Sequence, residues 1–223
     1  MVLIVLIVIG SITTILVVAR SPYRTAQHEV VEQPVPFSHQ HHVNDIGIDC
    51  RYCHRAVTES STAGVPSTEV CMTCHRELWK DSPMLEPVRQ SWAKNEPLEW
   101  VRVHDLPDYV YFNHSIHIKK GIGCYECHGN VAEMPLTKQV QPLTMKWCLD
   151  CHRHPTDHLR PRDLVFQPHA LTQLTNRAEY QQAVADAQIA ESSATAQTLD
   201  ALREHLAEEY DIKSRTDCYT CHR

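Results

Sequence analysis

The chain opens on an uncharged apolar run, Val2 to Ala19, and no comparable run recurs in the rest of its 223 residues. Its 18 residues make roughly 27 Å of helix at about 1.5 Å per residue, enough for the hydrocarbon core of a bilayer. The apolar stretch of a cleaved signal peptide is usually shorter, roughly 7–15 residues. With Met1 heading the chain, the expectation is an uncleaved anchor. No Lys or Arg precedes the run, and Arg20 and Arg24 follow it, so charge gives no orientation. A linker with Pro34 and Pro36 comes next, and the region beyond it reads as coil and short helices. Near the C-terminus, from Arg177 to Tyr210, the chain turns rich in alanine and acids. Leu199, Leu202, Leu206 and Tyr210 recur there at helical spacing, which predicts a helix packing face. Ser192-Ser193 is expected to divide two helices. The acidic side of that stretch reads as a solvated face or a dock for a basic partner.

Between these ends the chain repeats itself. Phe37-Ser38-His39-Gln40-His41-His42 leads to Gly47-Ile48-Asp49-Cys50, and Phe112-Asn113-His114-Ser115-Ile116-His117 leads to Gly121-Ile122-Gly123-Cys124. The spacing from first histidine to first cysteine is 11 residues in one copy and 10 in the other. A second cysteine motif follows after 21 and 24 residues.

The ten cysteines form five C-x-x-C pairs, each followed by histidine: Cys50/Cys53 with His54, Cys71/Cys74 with His75, Cys124/Cys127 with His128, Cys148/Cys151 with His152, and Cys218/Cys221 with His222. C-x-x-C-H is the attachment signature of c-type haem. Two thiols add across the two vinyl groups of one porphyrin, and the histidine falls under the iron as proximal ligand. A lone copy reads equally well as a zinc knuckle or a redox dithiol. Five copies that use every cysteine do not, because zinc sites have no fixed histidine after each pair. The expectation is five covalently bound haems c. Cytochrome c maturation takes place outside the cytoplasm, which puts the body of the protein there, on a single-pass inner-membrane anchor.

The F-x-H-x-x-H segments supply the candidates for the sixth ligands. Residues i and i+3 of a helical turn share a face, so two imidazoles can reach two closely packed irons. His39 and His114 are expected to ligate the haems attached just downstream, and His42 and His117 haems attached elsewhere. His41 reads as a bystander, and His28 and His205 as solvated. Met145 and His104 compete for the fifth sixth-ligand position, with Met134 a further candidate; Met/His ligation raises the potential relative to bis-His. His154, His158 and His169 read as hydrogen-bonding surface residues. Arg55, Arg76, Arg153 and Arg223 each follow a motif, where they pair with haem propionates or serve solubility.

The expected fold is therefore mainly α and coil, packed around five haems, with one N-terminal transmembrane helix. Its parts are an anchor at 1–20, a linker at 21–36, two-haem modules at 37–111 and 112–165, and a helical segment with the fifth haem site at 166–223. Aromatic content of 7% is thin for an ordinary core of this size, which fits haems filling the interior. A net charge of −6 gives no pointer to nucleic acid. No phosphate loop, nucleotide fingerprint or serine–histidine–acid set is present. All five motifs end in histidine, whereas nitrite-reducing cytochromes replace one proximal histidine by lysine. Closed, six-coordinate haems favour electron relay, with no catalytic site expected on this chain itself.

From roughly Val35 to Arg160 the motifs resemble the small bis-His cytochromes of the c3 and c7 type. Val103-His104-Asp105-Leu106-Pro107-Asp108-Tyr109-Val110-Tyr111-Phe112-Asn113-His114 and Pro142-Leu143-Thr144-Met145-Lys146-Trp147-Cys148 are similar to the pentahaem membrane-anchored subunit of alternative complex III, the bacterial quinol:electron acceptor oxidoreductase. That resemblance implies partners: membrane lipid, integral quinol-binding subunits, an iron-sulfur subunit, and a monohaem cytochrome c that passes electrons to a soluble carrier or terminal oxidase. The alternative is a stand-alone membrane-anchored multihaem quinol dehydrogenase feeding a periplasmic reductase. A first cysteine 30 residues beyond Arg20 favours a body docked on other subunits.

Overall fold

The computed structural model describes residues 1–167 and 195–222. His169, Arg223 and the helix expected between Arg177 and Ser192 lie outside the described residues. The helices are α1 Val2–Ala19, α2 Pro22–Thr25, α3 Cys50–Cys53, α4 Thr68–His75, α5 Glu86–Lys94, α6 His114–Lys119, α7 Cys124–His128, α8 Met145–Arg153, α9 Thr195–Glu209 and α10 Cys218–Cys221. Among the described residues there is no strand; two isolated bridges, Val30 with Lys138 and Ile122 with Leu159, are the only β pairing. The fold is helical and coil, as the sequence predicts.

Helix α1 is apolar on every side and buries none of its residues against the rest of the chain. It is long and apolar enough to cross a membrane. Its two threonines return their hydroxyls to the backbone, Thr13 to the Ile9 carbonyl and Thr14 to the Gly10 carbonyl, each at 2.8 Å. Neither hydroxyl is then left to face lipid unpaired.

Two small apolar clusters stand where a single core would be expected. Val35 of the linker packs with Met72 of α4 and Val88 of α5, flanked by Cys71, Leu85, Leu98 and Trp100. Leu202, Leu206 and Tyr210 pack on Leu159 and Leu164, with Ile122 alongside. The C-terminal leucine stripe is thus a packing face, as its periodicity predicts, and it lies on the second repeat. Clusters this small bury little area for a chain of this length.

The two repeats differ in how they shape the histidine pair. His39 and His42 sit on a π-helical turn, Gln40–Asp45, with the Ile46 amide reaching back to the His41 carbonyl. His114 and His117 sit on the α-helix α6, whose first turn is capped by the Asn113 side chain accepting from the Ile116 amide. The glycine after each turn has positive φ, 81° at Gly47 and 78° at Gly121. At Gly47 the backbone angle alone demands glycine. At Gly121 space demands it too: a Cβ would stand 2.6 Å from the Arg160 carbonyl and 2.8 Å from the Tyr210 ring.

Candidate functional site

Each C-x-x-C pair occupies one helical turn, which sets both sulfurs on one face. In α3, α7 and α10 the motif is nearly the whole helix, while α4 and α8 carry an extra N-terminal turn before Cys71/Cys74 and Cys148/Cys151. Side-chain caps hold three of these turns: Asp49 accepts from the Arg51 amide, Thr144 from the Trp147 amide and Asp217 from the Thr220 amide. All ten cysteines are free of disulfides. Burial, before any other influence, pushes the Cys124 and Cys127 thiols up to about 12. A redox dithiol or a thiolate metal ligand needs the opposite shift. Among the described residues no three His, Cys, Asp or Glu side chains converge to hold a bare metal ion. Both observations disfavour the zinc and dithiol readings.

The histidines of the repeats face the motif histidines in four pairs. His39 lies opposite His54 with ring centroids 6.5 Å apart and planes 9° from parallel. His114 faces His128 at 6.4 Å and 7°. His42 faces His75 at 6.1 Å and 65°, and His117 faces His152 at 6.1 Å and 68°. A metal–imidazole bond of about 2 Å, plus about 1.1 Å from nitrogen to ring centre, doubled, gives about 6 Å between rings on opposite sides of one metal. Each gap therefore has room for one iron between two imidazoles. The relative ring twist also repeats: parallel at the first site of each module, crossed at the second.

Hydrogen bonds at the other ring nitrogen orient these rings. Nδ1 of His42, His54, His75, His114, His117, His152 and His222 donates to a backbone carbonyl, of Ser38, Gly64, Leu78, Ser61, Asn113, Arg215 and Tyr109 respectively, at 2.7–3.1 Å. His39 Nδ1 pairs with the Thr137 hydroxyl at 2.9 Å. A carbonyl only accepts, so Nδ1 carries the hydrogen and Nε2 is left bare as a metal ligand. Burial, then the neighbouring histidines, lowers His39 to about 4 and His128 to about 3, which keeps both neutral as ligation requires. Phe37 stacks on His42 at 4.5 Å and meets His39 edge-on at 4.9 Å; Phe112 repeats this with His117 at 4.5 Å and His114 at 4.7 Å. The phenylalanine that opens each F-x-H-x-x-H is thus the spacer that sets both rings.

The remaining candidates fall elsewhere. His104 packs edge-on against His128, with centroids 4.3 Å apart, and its Nε2 is shielded without a partner. Met145 begins α8 and is 69% exposed. Met134 is buried. The ring beside His222 is that of Tyr109, at 5.8 Å and tilted 33°. His41, His28 and His154 are not buried, and His41 lies 3.8 Å from Asp45. Of the arginines after the motifs, Arg76 stacks over Trp92 and Arg153 pairs with Asp150.

Cys151 departs from the sequence expectation in one respect. Read from sequence it is a haem tether and nothing more, with His158 a separate surface residue. In the structure the two are joined: the His158 side chain hydrogen-bonds Cys151 as well as Glu126. The cause is local, since α8 ends at Arg153 and the single 3-10 turn Pro155–His158 folds the chain back beside the motif. The Cys151 bond first, then the Glu126 bond, raises His158 to about 10, so its imidazole is a cation at neutral pH. Sulfur is a weak acceptor in a thioether as in a thiol. The contact is therefore compatible with Cys151 as a tether, and it adds a positive charge beside the fourth site.

Sequence reasoning missed the cluster to which His158 belongs. Arg160 is 4% exposed and donates to Glu126 at 2.7 Å, and His158 meets the other Glu126 oxygen at 3.0 Å. Burial works against the Glu126 charge, yet His158 and Arg160 hold its carboxyl below its ordinary value. Gly123 admits the guanidinium because any Cβ there would collide with it. The G-x-C glycine was the available signal. The Arg160 Nε and the Tyr125 hydroxyl are buried donors without protein partners. Orphans of this kind are rare unless a further group completes them, and haem propionates are acceptors of the right chemistry. Cysteine turns, facing imidazoles and orphaned donors together fit c-type haem.

These features define a multihaem c-type cytochrome. A family model described as cytochrome c552 matches residues 90–216, more than half of the chain, and the chain belongs to that family. A model for cytochrome c7 and related cytochrome c matches residues 35–86. Among curated proteins, the multihaem cytochrome c subunit of menaquinone reductase from Nitratidesulfovibrio vulgaris is 37% identical over 98 residues. The match spans 44% of this chain and 46% of that relative, under half of each.

Proposed function

We propose that this chain is a membrane-anchored pentahaem relay that exchanges electrons between the membrane quinone pool and a further carrier, as one subunit of a quinol:acceptor oxidoreductase of the alternative complex III type. The observation that carries the relay is the set of four facing histidine pairs, each with space for one iron closed on both sides. A closed iron has no position for substrate, so the sites suit electron transfer over turnover. The cysteine pairs tether each group, the proximal histidines hold it from below, and His39, His42, His114 and His117 hold it from above. The carbonyls at Nδ1 fix which nitrogen points inward. Haem, when bound, supplies one-electron iron chemistry at a potential set by the axial ligands and their surroundings. Met145 or His104 is proposed as the sixth ligand at the fifth site. Helix α1 anchors the body on the extracytoplasmic side, where thioether attachment takes place. The quinone link is supported by the relative's description as a subunit of menaquinone reductase, and its being one subunit among others favours a multi-subunit complex.

The test is purification of the chain from native membranes in mild detergent, with the haem-to-protein ratio measured as pyridine haemochrome and bound partners identified by mass spectrometry. Five haems per chain with polytopic subunits, an iron-sulfur protein and a monohaem cytochrome is the expected result. Five haems with the chain alone, or with one periplasmic reductase, replaces the complex by a self-contained quinol dehydrogenase. A ratio well below five overturns the pentahaem reading.

A further inference from the structure

The five attachment sites do not follow one another in space as they do in sequence. The first and second sites adjoin: the Tyr52 hydroxyl inside the first motif bonds the Thr73 hydroxyl inside the second at 2.8 Å, and Phe37 touches the distal histidine of each. The third and fourth adjoin in the same way, through Phe112 between His114 and His117 and through His158, which bonds Glu126 of the third motif and Cys151 of the fourth. The fourth and fifth are tied by the stretch of chain entering the last motif: His152 donates to the Arg215 carbonyl at 2.9 Å, and its own carbonyl accepts from Ser214 at 2.9 Å.

The two modules meet at the first site. Cys50 Sγ lies 3.7 Å from the Phe166 carbonyl, and the Cys124 amide donates to the Val165 carbonyl. The first cysteines of the first and third motifs therefore rest on consecutive carbonyls of one segment. His114 is held by the Ser61 carbonyl, at both its amide and Nδ1, on the loop just after the first motif. In return Thr137, between the third and fourth motifs, bonds the first-site ligand His39. An independent feature marks the ends: of the ten cysteines, Cys74 of the second site and Cys218 of the fifth are the two exposed ones.

We infer that the attachment sites form an unbranched line in the order second, first, third, fourth, fifth, so that electrons exchanged with partner proteins enter and leave at the second and fifth sites. The partners are one-electron carriers. The donor is oxidised by one electron at one end, the acceptor is reduced by one electron at the other, and the chain itself returns to its starting state. The inference rests on the pentahaem relay reading and adds to it the path.

Iron positions decide the order. Anomalous scattering at the iron edge from crystals of the detergent-solubilised holoprotein should give five peaks, with the iron at Cys50/Cys53 between those at Cys71/Cys74 and Cys124/Cys127. A third-site iron nearer to the second-site iron than to the first overturns the line. A missing peak at Cys218/Cys221 overturns both the pentahaem reading and the fifth-site end, while the order of the other four can still be read. A kinetic measurement checks the same order in solution. A ruthenium photoreductant is attached at K213C, an exposed position just before the fifth motif, and a methionine ligand marks one site by its ferric absorption band and its raised potential. After a flash, the band should bleach sooner in H39M than in H42M; the reverse sequence overturns the line.

Discussion

At the scale of single residues, the site is built from a division of labour within each imidazole. One nitrogen is committed to a carbonyl or hydroxyl of the chain, and that commitment leaves the other nitrogen bare and aimed. The same rule separates ligands from bystanders: His41 sits between His39 and His42 in sequence, yet its ring lies on the exposed face beside Asp45. Replacing His39 by alanine should leave His54 alone on its side of the first site. Electron paramagnetic resonance of the oxidised protein should then lose one low-spin signal and gain one high-spin signal. His41→Ala should leave the spectrum as it was. Loss of a low-spin signal in His41→Ala would mean that the π turn presents a different pair.

At the scale of elements, the turns are too short to persist by themselves. A four-residue helix such as α3 or α10 makes hardly more than one turn of hydrogen bonds, and helix nucleation is unfavourable. Caps and tethering hold them in place. Helix α9 is the exception, with 15 residues and a continuous apolar stripe, and it acts as a clasp over the second repeat. Leu206 is 4% exposed beneath it. Leu206→Ala should destabilise the holoprotein by about 2–5 kcal/mol, read as a lowered midpoint in chemical denaturation followed by the Soret band, with haem content unchanged. A midpoint equal to wild type would show that α9 contributes no packing there.

At the scale of the whole molecule, the chain joins an apolar helix that buries nothing against the rest of the protein to a body whose interior is mostly supplied by its cofactors. The two parts should separate. A version beginning at Ser21 and given a cleavable export signal should mature with the same haem-to-protein ratio and appear in the soluble fraction without detergent. If it stays with the membrane after a salt wash, the body itself carries a lipid- or subunit-binding surface. The linker has a role beyond length: Val35 belongs to the cluster around Met72, and Gln33 is paired at both ends of its amide with Val101. The second site is thus the one built against the segment that leads from the anchor.

The sequence by itself determined the chemistry. Five C-x-x-C-H motifs and a duplicated F-x-H-x-x-H state the cofactor class and the proximal ligands, because thioether attachment fixes residue types at fixed local spacing. It determined the apolar helix and the leucine stripe of α9, because both are periodic and local. It could not reveal Arg160 and Glu126, whose partnership spans 34 residues and depends on a glycine that makes room. Nor could it show that His158 turns back onto Cys151, that His104 packs against His128, or that one repeat uses a π turn where the other uses an α-helix. Above all it could not order the sites. Which motif lies beside which is decided by contacts across long separations, such as Cys50 with Phe166 at 116 residues apart, and only the folded chain brings those residues together.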